Sequence, residues 1–236
     1  MPDQMPQKGM KMNKQTLMSG TVALLLLAGA CSRAAETMTR FDSRSGSKVR
    51  IEGTSSVHDW QIEGKIIGGF LETGANFPSE PGQTVQPGKV EAHAEAFIPV
   101  RSLASIEKDG KPYSTHMDDI VYEKLHEATN KKILFHLTEL VLKEPAKSKD
   151  TPYVFDSKGE LVVGGVTNAI SMPVNITPLG DKKLKITGST MVKMTAFKID
   201  PPAPSLGLGL IKTGDEVKLL IEWMVAQRAP AAAAKQ

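Results

Sequence analysis

The chain has 236 residues, a formal net charge of +3 and one cysteine. A single cysteine excludes an internal disulfide framework and any zinc site built on several thiolates. Residues 1–30 hold three lysines and one aspartate, so the chain without them has a net charge of +1. A near-neutral chain with no run of basic residues lacks the electrostatic footprint of nucleic-acid binding, so we expect no nucleic acid among its partners.

The first 30 residues are typical of an export signal. Lys11 and Lys14 precede an apolar run that begins near Leu17 and ends with the small residues 28–30. The run is about 14 residues long, whereas a membrane-spanning helix needs roughly 17–25. Small residues at its end favour cleavage there. We therefore predict a signal peptide over residues 1–30 and an exported protein of the periplasm or cell envelope.

Cys31 directly follows the predicted cleavage point. A cysteine at the first mature position resembles a bacterial lipoprotein signal, in which the thiol receives diacylglycerol. This predicts a lipid anchor on Cys31 that holds the protein at a membrane. The alternative is ordinary cleavage after Ala30, which would release a soluble periplasmic protein.

The rest of the chain divides into a tether, one domain and a tail. Residues 31–47 are polar and predict a flexible tether. Residues 48–226 are expected to form one domain, since a chain of this length can bury roughly 70% of its unfolded surface without disulfides. Residues 227–236 have low complexity, which predicts a disordered tail.

Most of the domain shows the period-two alternation of half-buried strands. The predicted strands cover residues 49–54, 57–63, 65–72, 90–100, 132–143, 153–163, 169–177, 184–194 and 217–225. Turns rich in glycine, proline, aspartate and lysine separate them. About eight antiparallel strands with one apolar face predict an all-β fold, either a closed barrel or a sandwich.

One short amphipathic helix interrupts the strands. Its predicted face repeats with helical spacing and consists of Met117, Ile120, Val121, Lys124, Leu125 and Ala128. Lys124 is the only polar member of that face. Thr115 and Asp118 match a capping box at its start, and Asn130 matches a left-handed residue at its end.

Small residues fall on faces that should point into a barrel, at alternating positions 92–96 and at Gly188. An eight-stranded barrel has an interior just wide enough for side chains or for one small ligand. Small inward residues therefore indicate an internal cavity. The alternative is an interior filled by large side chains such as Trp60, Phe135 and Trp223.

Three segments resemble, in order, the signature of the YceI-like family of bacterial polyisoprenoid-binding proteins. The first is GTSSVHDW at residues 53–60, similar to the family's G-x-S-x-x-H-x-W. The second is GELVVGGVT at residues 159–167, similar to G-x-L-T-[IV]-x-G-V-T. The third joins MTAFKI at residues 194–199 to IKTGDEV at residues 211–217. The resemblance spans residues 47–226.

The resemblance implies an eight-stranded antiparallel lipocalin-like barrel with a long apolar pore that holds an isoprenoid chain. The family is mostly periplasmic or secreted. This chain departs from it at residues 115–128, where the predicted helix replaces a segment usually rich in aspartate and phenylalanine. The implied function is binding of a polyprenol or an isoprenoid quinone for storage or transport in the cell envelope.

A carrier of such a chain needs length, an apolar lining and a mouth, because burying each CH2 group contributes about 0.8 kcal/mol. It needs no catalytic group. The residues predicted to line the site are Ala92, Ala94, Ala96, Phe135, Leu137, Val192, Met194, Leu219, Ile221 and Trp223. The segment Pro201–Gly214 predicts either a flexible lid or a surface connection.

Other kinds of site find little support in the sequence. The histidines are His58, His93, His116, His126 and His136, and no two have the H-x-x-x-H spacing of a zinc site. We find no nucleophile elbow, P-loop or dinucleotide fingerprint, so we predict no enzyme, no metal and no cofactor. The alternative function is an envelope-anchored interaction or stress-response module with a packed, ligand-free barrel. The sequence leaves a homodimer open.

Overall fold

A computed structural model describes residues 38–203 and 211–229. Its strands and helix in chain order are β1 Thr39–Ser43, β2 Lys48–Ser55, β3 Trp60–Gly64, β4 Gly68–Thr73, β5 Gly88–Val90, β6 Ala92–Pro99, β7 Leu103–Ile106, α1 Thr115–Lys124, β8 Lys132–Glu144, β9 Tyr153–Val163, β10 Val166–Gly180, β11 Lys183–Lys193 and β12 Thr213–Gln227. Short 3-10 turns at Val100–Ser102 and Met194–Phe197 join them. The predicted signal peptide, the Cys31 anchor and the centre of the predicted lid lie outside these residues.

Eight strands close into a ring in the order β1-β4-β6-β8-β9-β10-β11-β12, and β12 pairs back to β1. Every pairing in the ring is antiparallel. The ring closes where residues 41–43 of β1 face residues 225–227 of β12. The predicted all-β fold, an eight-stranded lipocalin-like barrel with a short amphipathic helix, is confirmed.

A three-stranded branch leaves the ring at β12. One side of β12 has two partners. Residues 213–222 pair with β2, and the last residues of β12 pair with β1. The branch continues from β2 to β3 and from β3 to β7. Helix α1 packs on the side of β7 that faces away from β3: the Asp118 carboxylate accepts a hydrogen bond from the Ser105 N–H at 2.6 Å, and the Tyr122 hydroxyl donates to the Leu103 carbonyl at 2.8 Å.

The predicted boundary at residue 48 is wrong, because β1 lies inside the segment predicted to be a tether. Phe41 is 1% exposed and packs in the core. Phe41 is the only fully buried residue of the five in β1. The segment therefore lacks the repeated alternation of apolar and polar residues that would identify a strand from its sequence. The predicted tail also begins too early, since Gln227 ends β12.

The helix has different ends from those predicted. Ser114 caps its start, with its hydroxyl accepting a hydrogen bond from the Met117 N–H at 3.4 Å. The predicted capping box does not form, because Asp118 is engaged by Ser105. The left-handed residue after the helix is His126, with a φ of 53°, rather than Asn130.

Charged side chains bridge the outer face of the ring where β1 closes it. Arg228 donates two hydrogen bonds to the Asp42 carboxylate, at 2.7 and 3.1 Å. Arg40 donates to Asp42 at 3.0 Å and to Glu72 at 2.9 Å. These contacts, led by Arg228, hold the pKa of Asp42 below its ordinary value.

The lowered pKa of Asp42 predicts a small acid sensitivity of the fold. A carboxylate whose pKa is lower in the folded state stabilises the protein above its unfolded pKa, about 3.9, and loses that contribution as the pH falls through the folded value. For a partly exposed pair we expect about 1 kcal/mol or less. Thermal melts at pH 7 and pH 3 should show a smaller acid-induced drop for Asp42→Asn than for the wild type. Equal drops would show that Asp42 has no part in this sensitivity.

Candidate functional site

The barrel encloses a cavity of about 510 Å³. Its wall consists largely of the inward-facing apolar residues of the strands. This volume lies within the range of roughly 300–1,000 Å³ that is usual for small-molecule sites. The interior is therefore open, which counts against the alternative of a barrel packed solid by its own side chains.

Nine of the ten residues predicted to line the site lie on this wall. They are Ala94, Ala96, Phe135, Leu137, Val192, Met194, Leu219, Ile221 and Trp223. Ala92 is the exception: it pairs with Thr73 at the start of β6, and its half-buried side chain packs against the core. Contact of these side chains with a ligand stays a prediction.

Two large rings on the wall each lie over a glycine. A Cβ at Gly53 would overlap the indole of Trp60, the residue opposite it in the β2–β3 pairing.

A Cβ at Gly159 would overlap Phe135 from the neighbouring strand β8. The rings thus occupy the space of missing side chains in the wall. Trp60 and Phe135 therefore take up less of the cavity than they would opposite a side chain.

Adding a methyl group at Gly53 should force Trp60 out of its place. We expect Gly53→Ala to destabilise the protein by about 1–3 kcal/mol, the usual cost of overpacking. Denaturant unfolding measures the loss, and Trp60 fluorescence in a Trp223→Phe background reports the displaced ring. The double variant Gly53→Ala, Trp60→Leu should recover much of the loss, since residues in contact are energetically coupled. Strict additivity of the two substitutions would contradict the packing described here.

The mouth of the cavity is marked by residues that are both on its wall and exposed. Val57 is 64% exposed and Tyr113 is 45% exposed, and the nearby His58 and His116 are also exposed. The Tyr113 ring meets the His58 ring edge-on, with centroids 5.9 Å apart, and its hydroxyl lies 3.4 Å from His58 Nε2. The mouth therefore lies between the β2–β3 turn and the start of α1.

The C-terminal end of the predicted lid segment, at Lys212, is hydrogen-bonded to the β2–β3 turn. The Ser56 N–H donates to the Lys212 carbonyl at 2.8 Å, and the Lys212 N–H donates to the Ser56 hydroxyl at 3.0 Å. The Thr213 hydroxyl donates to the Pro202 carbonyl at 2.6 Å, which joins the two described ends of the segment. Residues 204–210 between them lie outside the described part of the chain.

Helix α1 covers part of the cavity with its apolar face. Met117, Ile120, Val121 and the following Leu125 all lie on the wall. Lys124 lies on the wall with them, and it is the only aspartate, glutamate, lysine or arginine there among the described residues.

A buried ion-pair group fixes the chain beyond α1. Glu127 is 7% exposed, and its carboxylate accepts hydrogen bonds from Arg101 and Lys131, each at 3.0 Å. These bonds, that of Arg101 first, hold the pKa of Glu127 below its ordinary value. The carboxylate therefore stays ionised and keeps the end of the helix attached to the barrel.

The hydroxyls inside the cavity are occupied by the wall itself. Ser157 donates to the Met172 carbonyl at 2.7 Å, and Thr190 donates to the Ser171 carbonyl at 3.1 Å. Among the described residues, no three histidines, cysteines, aspartates or glutamates lie close enough together to hold a metal ion. The wall can therefore bury an apolar molecule, with polar contacts confined to the mouth.

Within residues 38–203 and 211–229, no helix has the length and apolar character to cross a bilayer.

Both the sequence and the structure of the chain are similar to those of known proteins. The sequence profile of the YceI-like domain matches residues 40–224. A polyisoprenoid binding domain from Saccharophagus degradans, implicated in plant cell wall breakdown, is 10% identical, with 81% of this chain and 100% of that chain covered and a TM-score of 0.58. BcnA of Burkholderia cenocepacia is 15% identical, with 75% and 95% covered and a TM-score of 0.54. At these identities the two structures show a shared fold alone. No curated protein sequence matches the chain.

Proposed function

The chain belongs to the YceI-like domain family, and from this premise we propose that its barrel binds a long apolar isoprenoid-type lipid, such as a polyprenol or an isoprenoid quinone. The observation that carries the proposal is the open apolar cavity of about 510 Å³ inside a closed barrel. The similar structure from Saccharophagus degradans is described as a polyisoprenoid binding domain, which supports the same class of ligand.

The physical basis is the removal of a water-insoluble chain from water. At about 0.8 kcal/mol per buried CH2 group, one five-carbon unit contributes roughly 4 kcal/mol before ordering costs are subtracted. A few units therefore supply enough free energy for tight binding without any charged contact. A wall with occupied hydroxyls and apolar side chains suits such a chain.

The proposed role is storage or transport of the lipid without chemical change. The cavity hydroxyls of Ser157 and Thr190 donate to backbone carbonyls, so neither is held by a base that could activate it as a nucleophile. The mouth histidine His58 contacts Tyr113 and the Asp59 carbonyl, at 3.4 and 2.8 Å. This arrangement supports a binding protein rather than an enzyme.

We propose that the protein is exported and held at the cell envelope by a lipid on Cys31. The support is the signal-like sequence of residues 1–30 and the cysteine that follows it. Intact-mass analysis of the protein from membranes tests this point. A diacylglyceryl mass on Cys31 supports the anchor, and a free or absent Cys31 contradicts it.

Native mass spectrometry tests the ligand. The full chain is released from membranes in a detergent that is removed in the gas phase, and the same sample is extracted with organic solvent. We expect a discrete added mass that extracts as a prenyl lipid. The cavity-filled variant Ala94→Trp, Ala96→Phe, purified in parallel, separates cargo from adhering membrane lipid. An empty wild type that stays empty after incubation with ubiquinone or polyprenol would contradict the proposal.

A further inference from the structure

The feature that the proposed function leaves unused is the charge on the cavity wall. Lys124 lies on the same face of α1 as Ile120 and Val121, and all three line the cavity. The rest of that wall, within the described residues, has no aspartate, glutamate or arginine. An apolar chain alone gives an ammonium group nothing to bind, and a cation beside an apolar cavity is costly unless it has a partner or reaches water.

The carboxylates nearest to Lys124 in sequence either bind other residues or lie on another face of the helix. Asp118 accepts from the Ser105 N–H, and Glu127 accepts from Arg101 and Lys131. Glu123 is the adjacent residue on the helix, and adjacent residues do not share a face. No ion pair found in the described part of the chain involves Lys124.

Other polar side chains of the wall lie near the start of α1. Tyr113 carries a hydroxyl, and His58 and His116 carry imidazole nitrogens at the mouth. A cation on a wall that has no aspartate or glutamate among the described residues complements an oxyanion. A neutral quinone ring or an alcohol would leave the charge of Lys124 without a counter-charge.

We propose that the site selects an apolar chain that ends in an oxyanion, either a phosphate or a carboxylate, with Lys124 as the residue that binds this head group. The chain lies in the cavity and the head group lies beneath the last turn of α1, beside Lys124. This proposal rests on the proposed function, since it requires that the cavity hold an apolar chain.

A structural role for Lys124 is the competing explanation. A lysine in the last turn of a helix interacts favourably with the helix dipole, and Lys124 occupies that turn. Such a role would affect the stability of the protein in the same way whatever ligand is present. Selectivity between ligands that differ only in head-group charge is therefore the readout that separates the two explanations.

The test uses three probes with the same twenty-carbon chain: geranylgeranyl phosphate, geranylgeranoic acid and geranylgeraniol. We expect the wild type to bind at least one of the two anions about tenfold more tightly than the alcohol, as a charge-assisted hydrogen bond in a partly exposed site would give. Lys124→Met, which keeps the length and apolar stem, should lose this preference with its affinity for the alcohol unchanged. Lys124→Arg should keep the preference.

The outcomes separate the two proposals. A wild type that binds all three probes equally, or a preference that survives in Lys124→Met, overturns the role of Lys124 and leaves the lipid-binding function standing. Failure of all three probes to bind overturns the function itself. If one anion is preferred over the other, that preference identifies the head group as phosphate or carboxylate.

Discussion

Filling the cavity from β6 should reduce the affinity for an isoprenoid chain by at least about 100-fold, or roughly 2.7 kcal/mol. The substitutions are Ala94→Trp and Ala96→Phe, separately and together. Both alanines lie on the cavity wall, and Ala94 is 3% exposed. A large ring in place of a methyl group occupies the space that the chain needs. Ala94 faces Leu71 across the β4–β6 pairing, whereas Ala96 faces Gly69, so Ala94→Trp is the stronger single change. Retention of radiolabelled polyprenol or ubiquinone measures the loss.

The matched control is Ala169→Phe on β10. Ala169 is exposed and does not line the cavity, so the same added ring projects into solvent. We expect this variant to bind like the wild type. Thermal melts of all variants show whether the barrel stays folded, since overpacking alone costs about 1–3 kcal/mol. Undiminished binding by the folded double variant would show that the chain is held somewhere other than this cavity.

Removal of the Phe41 side chain should produce the largest loss of stability among single changes in β1. Phe41 is 1% exposed, and it faces Leu71 of β4 and Gln227 of β12 across the two pairings that close the ring. Truncating a buried phenylalanine to alanine typically costs about 3–5 kcal/mol. For a protein of this size we expect Phe41→Ala to melt roughly 6–20 °C lower.

Phe70→Ala is the control on the opposite face of the same seam. Phe70 faces Asp42 in the β1–β4 pairing and lies on the outer surface, where the Arg40 guanidinium carbon is 3.7 Å from its ring centroid. We expect a loss of about 1 kcal/mol from this partly exposed contact. If Phe41→Ala melted as mildly as Phe70→Ala, β1 would contribute little to the closure of the ring.

The long strands were predictable because their alternation continues through many residues. β9 begins and ends at the predicted residues, and its fully buried positions alternate with less buried ones along the whole strand. The same alternation predicted ten residues of the wall, and nine of them line the cavity, since the face of a strand that points inward is set by its period of two.

Two short strands, β1 and β7, were not predicted, for a physical reason. β1 has five residues and β7 has four, so neither is long enough for an alternation to stand out. Their stability comes from pairing with residues far away in sequence, such as residues 225–227 for β1. The mouth was missed for a similar reason: nothing local in the sequence around Val57 or Tyr113 tells which end of the barrel stays open.

The position of α1 has a consequence for self-association. A strand with one unpaired side displays N–H and C=O groups that can recruit a strand of another molecule. On β7 three such groups already have partners. The Leu103 carbonyl accepts from the Tyr122 hydroxyl, and the Ser105 N–H donates to the Asp118 carboxylate. The Ser105 carbonyl accepts from the Tyr113 N–H at 2.9 Å. The helix that covers the cavity thus also blocks strand addition. Lifting α1 to admit a lipid would break the two bonds made by Tyr122 and Asp118. Because β7 would then expose unpaired groups, an opened barrel would also aggregate more readily through β7.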